Sequence, residues 1–271
     1  MTGEPIYRGM DRHALDAAYN NSVAVADSPQ WLERWRARSK ELRAGTHARL
    51  DVPYGKRPRE RLDYFTSGAQ RPPLFVFIHG GYWQRNDKEM FAFVCDGPQP
   101  HGIDVATVGY TLAPQARLRE IVQEIEQALD FLSEHADDFG FARDRLLVGG
   151  WSAGGHLTAM AARHPTVCGG IPISGIFDLE PIALNYLNEK LSLDAIEIAT
   201  LSPIRTLSNK RPLRLAVPEL KRERVWKSQA CPSTRSVAAL THAGAAHIKP
   251  NAGKKLYGPL EPESHETPSP C

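Results

Sequence analysis

Cysteine is scarce in this chain: 271 residues hold four, Cys95, Cys168, Cys231 and Cys271, too few and too scattered for a disulfide scaffold. No C-x-x-C pair offers a zinc or redox site, and this usage fits a reducing, cytoplasmic setting. Long apolar runs are also missing. The longest, such as Leu74 to Ile78, fall far short of the roughly 20 residues that a helix needs to cross a bilayer. Met1 to Arg12 has neither the basic nor the apolar stretch of a signal peptide. The net charge is only +2, which gives no overall pull toward nucleic acid or membrane. Internal repeats are absent, and low complexity is confined to the end.

What is present describes an ordinary globular protein with room for a sizeable core: 42% hydrophobic and 24% charged residues, with 21 each of Gly and Pro. One asymmetry stands out. Pro203 to Lys255 carries 12 Lys and Arg against two acids, Glu219 and Glu223. Such a segment can bind a polyanion, but scattered charges on a solvated face are the more common meaning.

The pattern alternates strand and helix. Asp27 and Ser28 before Pro29 predict a helix start, followed by an apolar side of Trp31, Leu32, Trp35 and Leu42. Ala48 to Tyr54 and Glu60 to Thr66 read as an antiparallel hairpin. Leu74 to Ile78 reads as a strand buried on both faces. Strands follow at Asp104 to Gly109, Arg145 to Gly149, Gly170 to Ser174 and Leu213 to Val217, with a presumed last strand at Val237 to His242. Leu118, Ile121, Val122, Ile125, Leu129 and Leu132 lie at helical spacing, and Ala153 to His164 forms another helix. This order implies an α/β fold with a mostly parallel sheet flanked by helices. Tyr186 to Thr200 is a short helical insertion placed to cap it.

The strongest motif is Gly150-Trp151-Ser152-Ala153-Gly154, between a strand and an alanine-rich helix. A sharp turn there projects the Ser152 hydroxyl above the sheet, and a Cβ on either flanking glycine would strike neighbouring backbone. His79-Gly80-Gly81-Tyr82-Trp83 follows the strand Leu74 to Ile78. Backbone amides of Gly80, Gly81 and Tyr82 in such a loop can join that of Ala153 as an oxyanion hole. Tyr82 and Trp83 either wall an aromatic-substrate pocket or pack as core.

A serine nucleophile needs a base oriented by a carboxylate. The chain order serine, acid, histidine restricts the base to positions beyond Ser152. His156 and His164 lie on the helix after the elbow and point elsewhere, His265 is in the Pro-rich end, and His242 falls within the presumed last strand. His247, after Gly244-Ala245-Ala246, is the candidate base. The acid is Glu219, after the penultimate strand, or alternatively Asp178, which could equally cap the helix beginning near Pro181.

These residues resemble the arylformamidases, or kynurenine formamidases, of the α/β-hydrolase fold. The likeness runs through His79 to Trp83, Tyr110-Thr111-Leu112-Ala113-Pro114, Gly150 to Gly154, Phe177-Asp178-Leu179 and Leu201-Ser202-Pro203. It implies hydrolysis of N-formyl-kynurenine to kynurenine and formate with no cofactor and no metal. A carboxylesterase for small acyl esters, or a hydrolase-like protein that binds without turnover, would use the same scaffold. The expected partner is a small aromatic formamide or ester, with no nucleic acid and no membrane; a homo-oligomer is compatible with the sequence. From Pro218 onward the likeness weakens, although Gly244 to His247 keeps the family's Gly-x-x-His. A changed reading frame or splice in that coding region would account for the basic bias and the loss of pattern. The expected organisation is a single hydrolase domain over residues 1–250 and a disordered tail over 251–271, where prolines recur without an apolar period.

Overall fold

The structure, a computed structural model, describes residues 3–24, 27–45, 48–206 and 213. Six strands form one sheet: β1 Ala48–Pro53, β2 Arg61–Phe65, β3 Leu74–Ile78, β4 Asp104–Val108, β5 Leu146–Trp151 and β6 Val167–Ile173, in the order β1-β2-β4-β3-β5-β6. The β1/β2 and β2/β4 pairs are antiparallel; β4, β3, β5 and β6 run parallel. Leu213 extends this order with a parallel bridge to Gly170, and the remainder of the strand expected from Leu213 to Val217 lies outside the described residues.

The helices are α1 Arg12–Tyr19, α2 Asn21–Ala24, α3 Ser28–Arg43, α4 Leu118–Glu134, α5 Ala136–Phe139, α6 Ala153–Ala161, α7 Glu180–Ala183, α8 Asn188–Leu191, α9 Ala195–Leu201 and α10 Pro203–Thr206, with 3-10 turns at Glu89–Asp96 and Gln99–His101. Helix α4 owes its place to its apolar stripe, since Leu118, Ile121, Val122, Ile125, Leu129 and Leu132 are all buried. Each such side chain contributes about 1.5–3 kcal/mol by leaving water. The helical insertion expected over 186–200 consists of two short helices, α8 and α9. Ser192 takes a left-handed backbone, φ 49°, which ends α8. Asp194 then caps α9 by accepting from the Glu197 N–H at 2.8 Å, and the Glu197 carboxylate reaches back to Asp194.

Buried charge fastens the periphery to the sheet. Glu197, 1% exposed, is bracketed by Arg117 at 2.9 Å and Arg119 at 3.2 Å, tying the insertion to the start of α4. On the opposite edge the buried Lys88 ammonium meets Asp63 at 2.6 Å and Asp51 at 2.7 Å, and Arg43 of α3 meets Asp63 at 2.8 Å. These pairs are hydrogen-bonded on both partners, so removing one partner would strand a buried charge. Among the described residues no helix is long and apolar enough to cross a membrane.

Candidate active site

In the parallel register Ile78 stands beside Gly150, so the loops leaving β3 and β5 emerge next to each other at the carboxyl end of the sheet. That end is where open α/β sheets build their sites.

The loop leaving β5 is the serine elbow. Ser152 sits at φ 58°, ψ −115°, a strained backbone for a residue with a side chain. Its N–H donates to the Ile173 carbonyl at 2.8 Å and its carbonyl accepts from the His156 N–H at 3.1 Å. The turn is tight because its flanks lack side chains: a Cβ on Gly150 would lie 2.5 Å from the Gly154 oxygen, and one on Gly154 would fall on the Ile78 carbonyl oxygen. The expectation that glycine is required on both flanks is met atom by atom. Ala153 opens α6, and no bond to its N–H is seen among the described residues.

The loop leaving β3 has its own strain. Gly81 has φ 122°, and Tyr82 and Trp83 follow at φ 52° and 58°. A side-chain residue in this region costs roughly 1–2 kcal/mol, so the loop needs anchors. The Gly80 carbonyl accepts from His79 Nδ1 at 2.9 Å and from Asn86 Nδ2 at 3.1 Å. Because a trans peptide points its N–H opposite its C=O, the Gly81 N–H is turned away from His79 and Asn86. A Cβ on Gly80 would lie 3.2 Å from the Ser152 Cβ and would also strike the Trp151 carbonyl. Gly80 thus allows the loop to lie against the nucleophile candidate. Among the described residues the N–H groups of Gly81 and Tyr82 take no backbone or side-chain partner.

Three further groups brace this loop. Tyr110 stacks on His79 with centroids 4.2 Å apart and donates to the His79 carbonyl at 2.9 Å. The Trp83 carbonyl accepts from the Ala113 N–H at 2.8 Å, and Gln84 Nε2 reaches the Leu187 carbonyl at 2.8 Å. The Tyr110 to Pro114 segment therefore acts as a support for the glycine loop. Sequence reasoning found that segment only through resemblance, and Asn86 was missed because a lone asparagine five positions past a glycine pair carries no pattern.

The rings of Tyr82 and Trp83 are buried, Trp83 completely. Both rings pack within the main core cluster, and Trp83 meets His156 edge-on at 5.0 Å. His156 and His164, set aside as bases, are engaged elsewhere: His156 Nε2 with the Leu201 carbonyl at 2.8 Å, and His164 with Thr166 at 2.8 Å and Asp130 at 3.1 Å. Burial pulls the pKa of both His79 and His156 down to about 4, so each is neutral near pH 7. Since each bonds a carbonyl through one nitrogen, that nitrogen carries the proton.

Asp178, the alternative acid, is buried with its carboxylate already engaged. It accepts from the Glu180 N–H at 3.1 Å and from Tyr7 Oη at 3.4 Å, with Arg205 at 3.5 Å. The local bond to Glu180 is the helix-start role considered for it. His247 and Glu219, like the strand expected at Val237 to His242 and the tail over 251–271, lie outside the described residues. No cluster of His, Cys, Asp and Glu suited to a metal occurs among the described residues.

A mostly parallel sheet, a strained serine between β5 and α6, and a glycine loop beside it define an α/β hydrolase. The BD-FAE family profile matches residues 63–168, from β2 into β6. Kynurenine formamidase of Danio rerio is 32% identical over 181 residues, 63% of this chain and 60% of that protein. A carboxylic ester hydrolase of Mycobacterium tuberculosis, LipN, is 35% identical over 120 residues, 44% of this chain and 31% of its own. Among solved structures, a Silicibacter sp. TM1040 protein provisionally described as a thioesterase superposes with a TM-score of 0.72 at 30% identity, covering 79% of this chain and 84% of that one. The chain is an α/β hydrolase, and over about half its length or more it is similar in sequence to the arylformamidases, or kynurenine formamidases. It spans between half and three fifths of the length of the curated kynurenine formamidases it matches.

Proposed function

We propose that this protein hydrolyses a formamide or ester bond with Ser152 as nucleophile, and that its substrate is N-formyl-kynurenine. The observation that carries the reading is the juxtaposition of the strained Ser152 with Gly80, whose missing side chain lets a loop whose Gly81 and Tyr82 amides have no partner among the described residues lie against it. The likeness to kynurenine formamidases supports the formamide.

In this mechanism the Ser152 Oγ attacks the formyl carbon while His247 takes its proton. The carbonyl oxygen becomes an oxyanion and receives hydrogen bonds from the N–H groups of Ala153, Gly81 and Tyr82. Such donors are fixed before reaction, and each is typically worth about 10²–10³ in turnover. His247 then protonates the departing amine, which leaves a formyl-serine. Water, deprotonated by the same histidine, releases formate and restores the hydroxyl. Glu219 holds the imidazole in the required tautomer; Asp178, committed to Glu180, Tyr7 and Arg205, is the less suited carboxylate. No metal or organic cofactor takes part in this scheme, and the cytoplasm is the proposed compartment.

The second reading, a carboxylesterase, is favoured by the likeness to the LipN ester hydrolase, and the same atoms would serve it. Parallel kinetics on N-formyl-kynurenine and p-nitrophenyl acetate separate the two. A kcat/KM at least tenfold higher for the formamide is expected. A preference for the ester of that size would assign the esterase, and no turnover of either by folded protein would leave a ligand-binding hydrolase homologue.

A further inference from the structure

The strained loop has one anchor that comes from far away in the sequence. Tyr82 Oη donates to the carbonyl of Tyr19 at 2.9 Å and accepts from Asn21 Nδ2 at 2.9 Å. Tyr19 is the last residue of α1, so its carbonyl stands at the helix's C-terminal end. Helix α1 is held in turn by the insertion: Asp16 accepts from the Tyr186 N–H at 2.8 Å, and Arg12 meets Glu189 at 3.6 Å. Tyr7, just before α1, contacts Asp178.

We propose that α1 and Asn21 are positioning elements of the oxyanion loop, acting through the Tyr82 hydroxyl to fix the direction of the Tyr82 amide. The inference rests on the serine mechanism above. Its physical basis is the run of three positive-φ residues, Gly81, Tyr82 and Trp83. A left-handed stretch containing two side-chain residues persists only when its surroundings over-determine it. The simplest relaxation is a rotation of a peptide plane, which would swing an amide away from the reacting oxygen. The Trp83 carbonyl is fixed by Ala113 and the Gly80 carbonyl by His79 and Asn86. Tyr82 lies between them, and the bonds shown at its side chain are those to Tyr19 and Asn21. A small misplacement of a catalytic donor costs up to about a hundredfold in rate. The hydroxyl touches no reacting atom in this scheme, so Tyr82 is a positioning residue through its side chain.

The test uses the full chain and the substitutions Tyr82→Phe, Asn21→Ala and their combination, with Ser152→Ala measured alongside. Turnover of p-nitrophenyl acetate and binding of a phenylboronic acid, which forms a tetrahedral adduct with a serine hydroxyl, are followed together with melting temperature. Tyr82→Phe is expected to lower kcat about 10- to 100-fold with KM changed less than threefold, and to weaken boronate binding in parallel. Asn21→Ala, at an exposed position, is expected to lower kcat about threefold, and the combination to be no worse than Tyr82→Phe alone because both act through one hydroxyl. An unchanged kcat in folded Tyr82→Phe, a change confined to KM, or fully additive effects would overturn the proposal. Should Tyr82→Phe fail to fold, Asn21→Ala decides by itself: unchanged kcat overturns the inference. Activity retained by Ser152→Ala would remove the serine mechanism and this inference with it, whereas its loss there with normal Tyr82→Phe turnover removes the inference alone.

Discussion

The serine elbow and the glycine loop lie side by side, both in left-handed backbone, and they are held there by opposite means. At the elbow the geometry depends on missing atoms: Gly150 and Gly154 let β5, α6 and the end of β3 approach within distances no Cβ would permit. In the loop it depends on added ones: His79, Tyr82 and Asn86 each spend side-chain hydrogen bonds on a particular carbonyl or amide. Close approach of backbone is all-or-none, while a set of hydrogen bonds can be weakened one at a time. The elbow should therefore fail abruptly on substitution and the loop by degrees.

The largest effect expected is at the elbow's reactive atom. Ser152→Ala should reduce kcat on the order of a millionfold with the melting temperature nearly unchanged, measured by steady-state hydrolysis and thermal unfolding. Retention of most activity by folded protein would contradict the assignment.

Next in size is the carboxylate that orients the base, a part belonging to neither region. Glu219→Gln should cost about 10⁴ in kcat. Asp178→Asn should cost less than tenfold, because its present partners are a helix-start amide, a tyrosine and an arginine. The reverse order of losses would make Asp178 the acid.

Two glycine substitutions sharpen the contrast between missing and added atoms. Gly154→Ala places a methyl group on the Ile78 carbonyl oxygen, so loss of soluble folded protein or a severe drop in melting temperature is expected. Gly140, unlike Gly154 within α6, is at positive φ, 87°, and has open space around it. Gly140→Ala should cost only about 1 kcal/mol, a few degrees in melting temperature. A loss at Gly154 no larger than that at Gly140 would mean that close approach does not govern the elbow.

The smallest effect concerns the neutral buried histidines that brace the site. His79 and His156 keep a pKa of about 4 in the folded protein, whereas an unfolded chain gives histidine its ordinary value near 6.5. Between those values the unfolded chain binds more protons, so stability is complete above about pH 6.5 and falls as the pH is lowered toward 4. Each histidine contributes at most on the order of 3 kcal/mol to that decline. His156→Gln keeps a donor for the Leu201 carbonyl and removes one titration. Melting temperature should then depend less steeply on pH across this window, and an unchanged slope would contradict the burial account.

The parts of this protein that a period can encode were legible in its sequence. Helix α4 buries the same six residues that lie at helical spacing, and the continuous apolar run from Leu74 to Ile78 is a central parallel strand. The elbow was legible because glycine carries local steric information. Other parts escaped for physical reasons. The insertion broke into short helices where Ser192 turned left-handed, a conformation no residue preference there announces. The ties from Tyr82 to Tyr19 and Asn21, and from Glu197 to Arg117 and Arg119, join residues far apart in the chain. Such partners leave no local pattern. The aromatic pair Tyr82-Trp83 was ambiguous for a related reason, since the same rings suit a pocket wall or a core.

The central claim, that Ser152 is an activated nucleophile beside an oxyanion loop, is tested most directly by treating folded protein with a fluorophosphonate and locating the adduct by peptide mass spectrometry. The account predicts one stoichiometric adduct on Ser152, absent from Ser152→Ala. No adduct on folded protein, or an adduct on another residue with Ser152 unmodified, would contradict it.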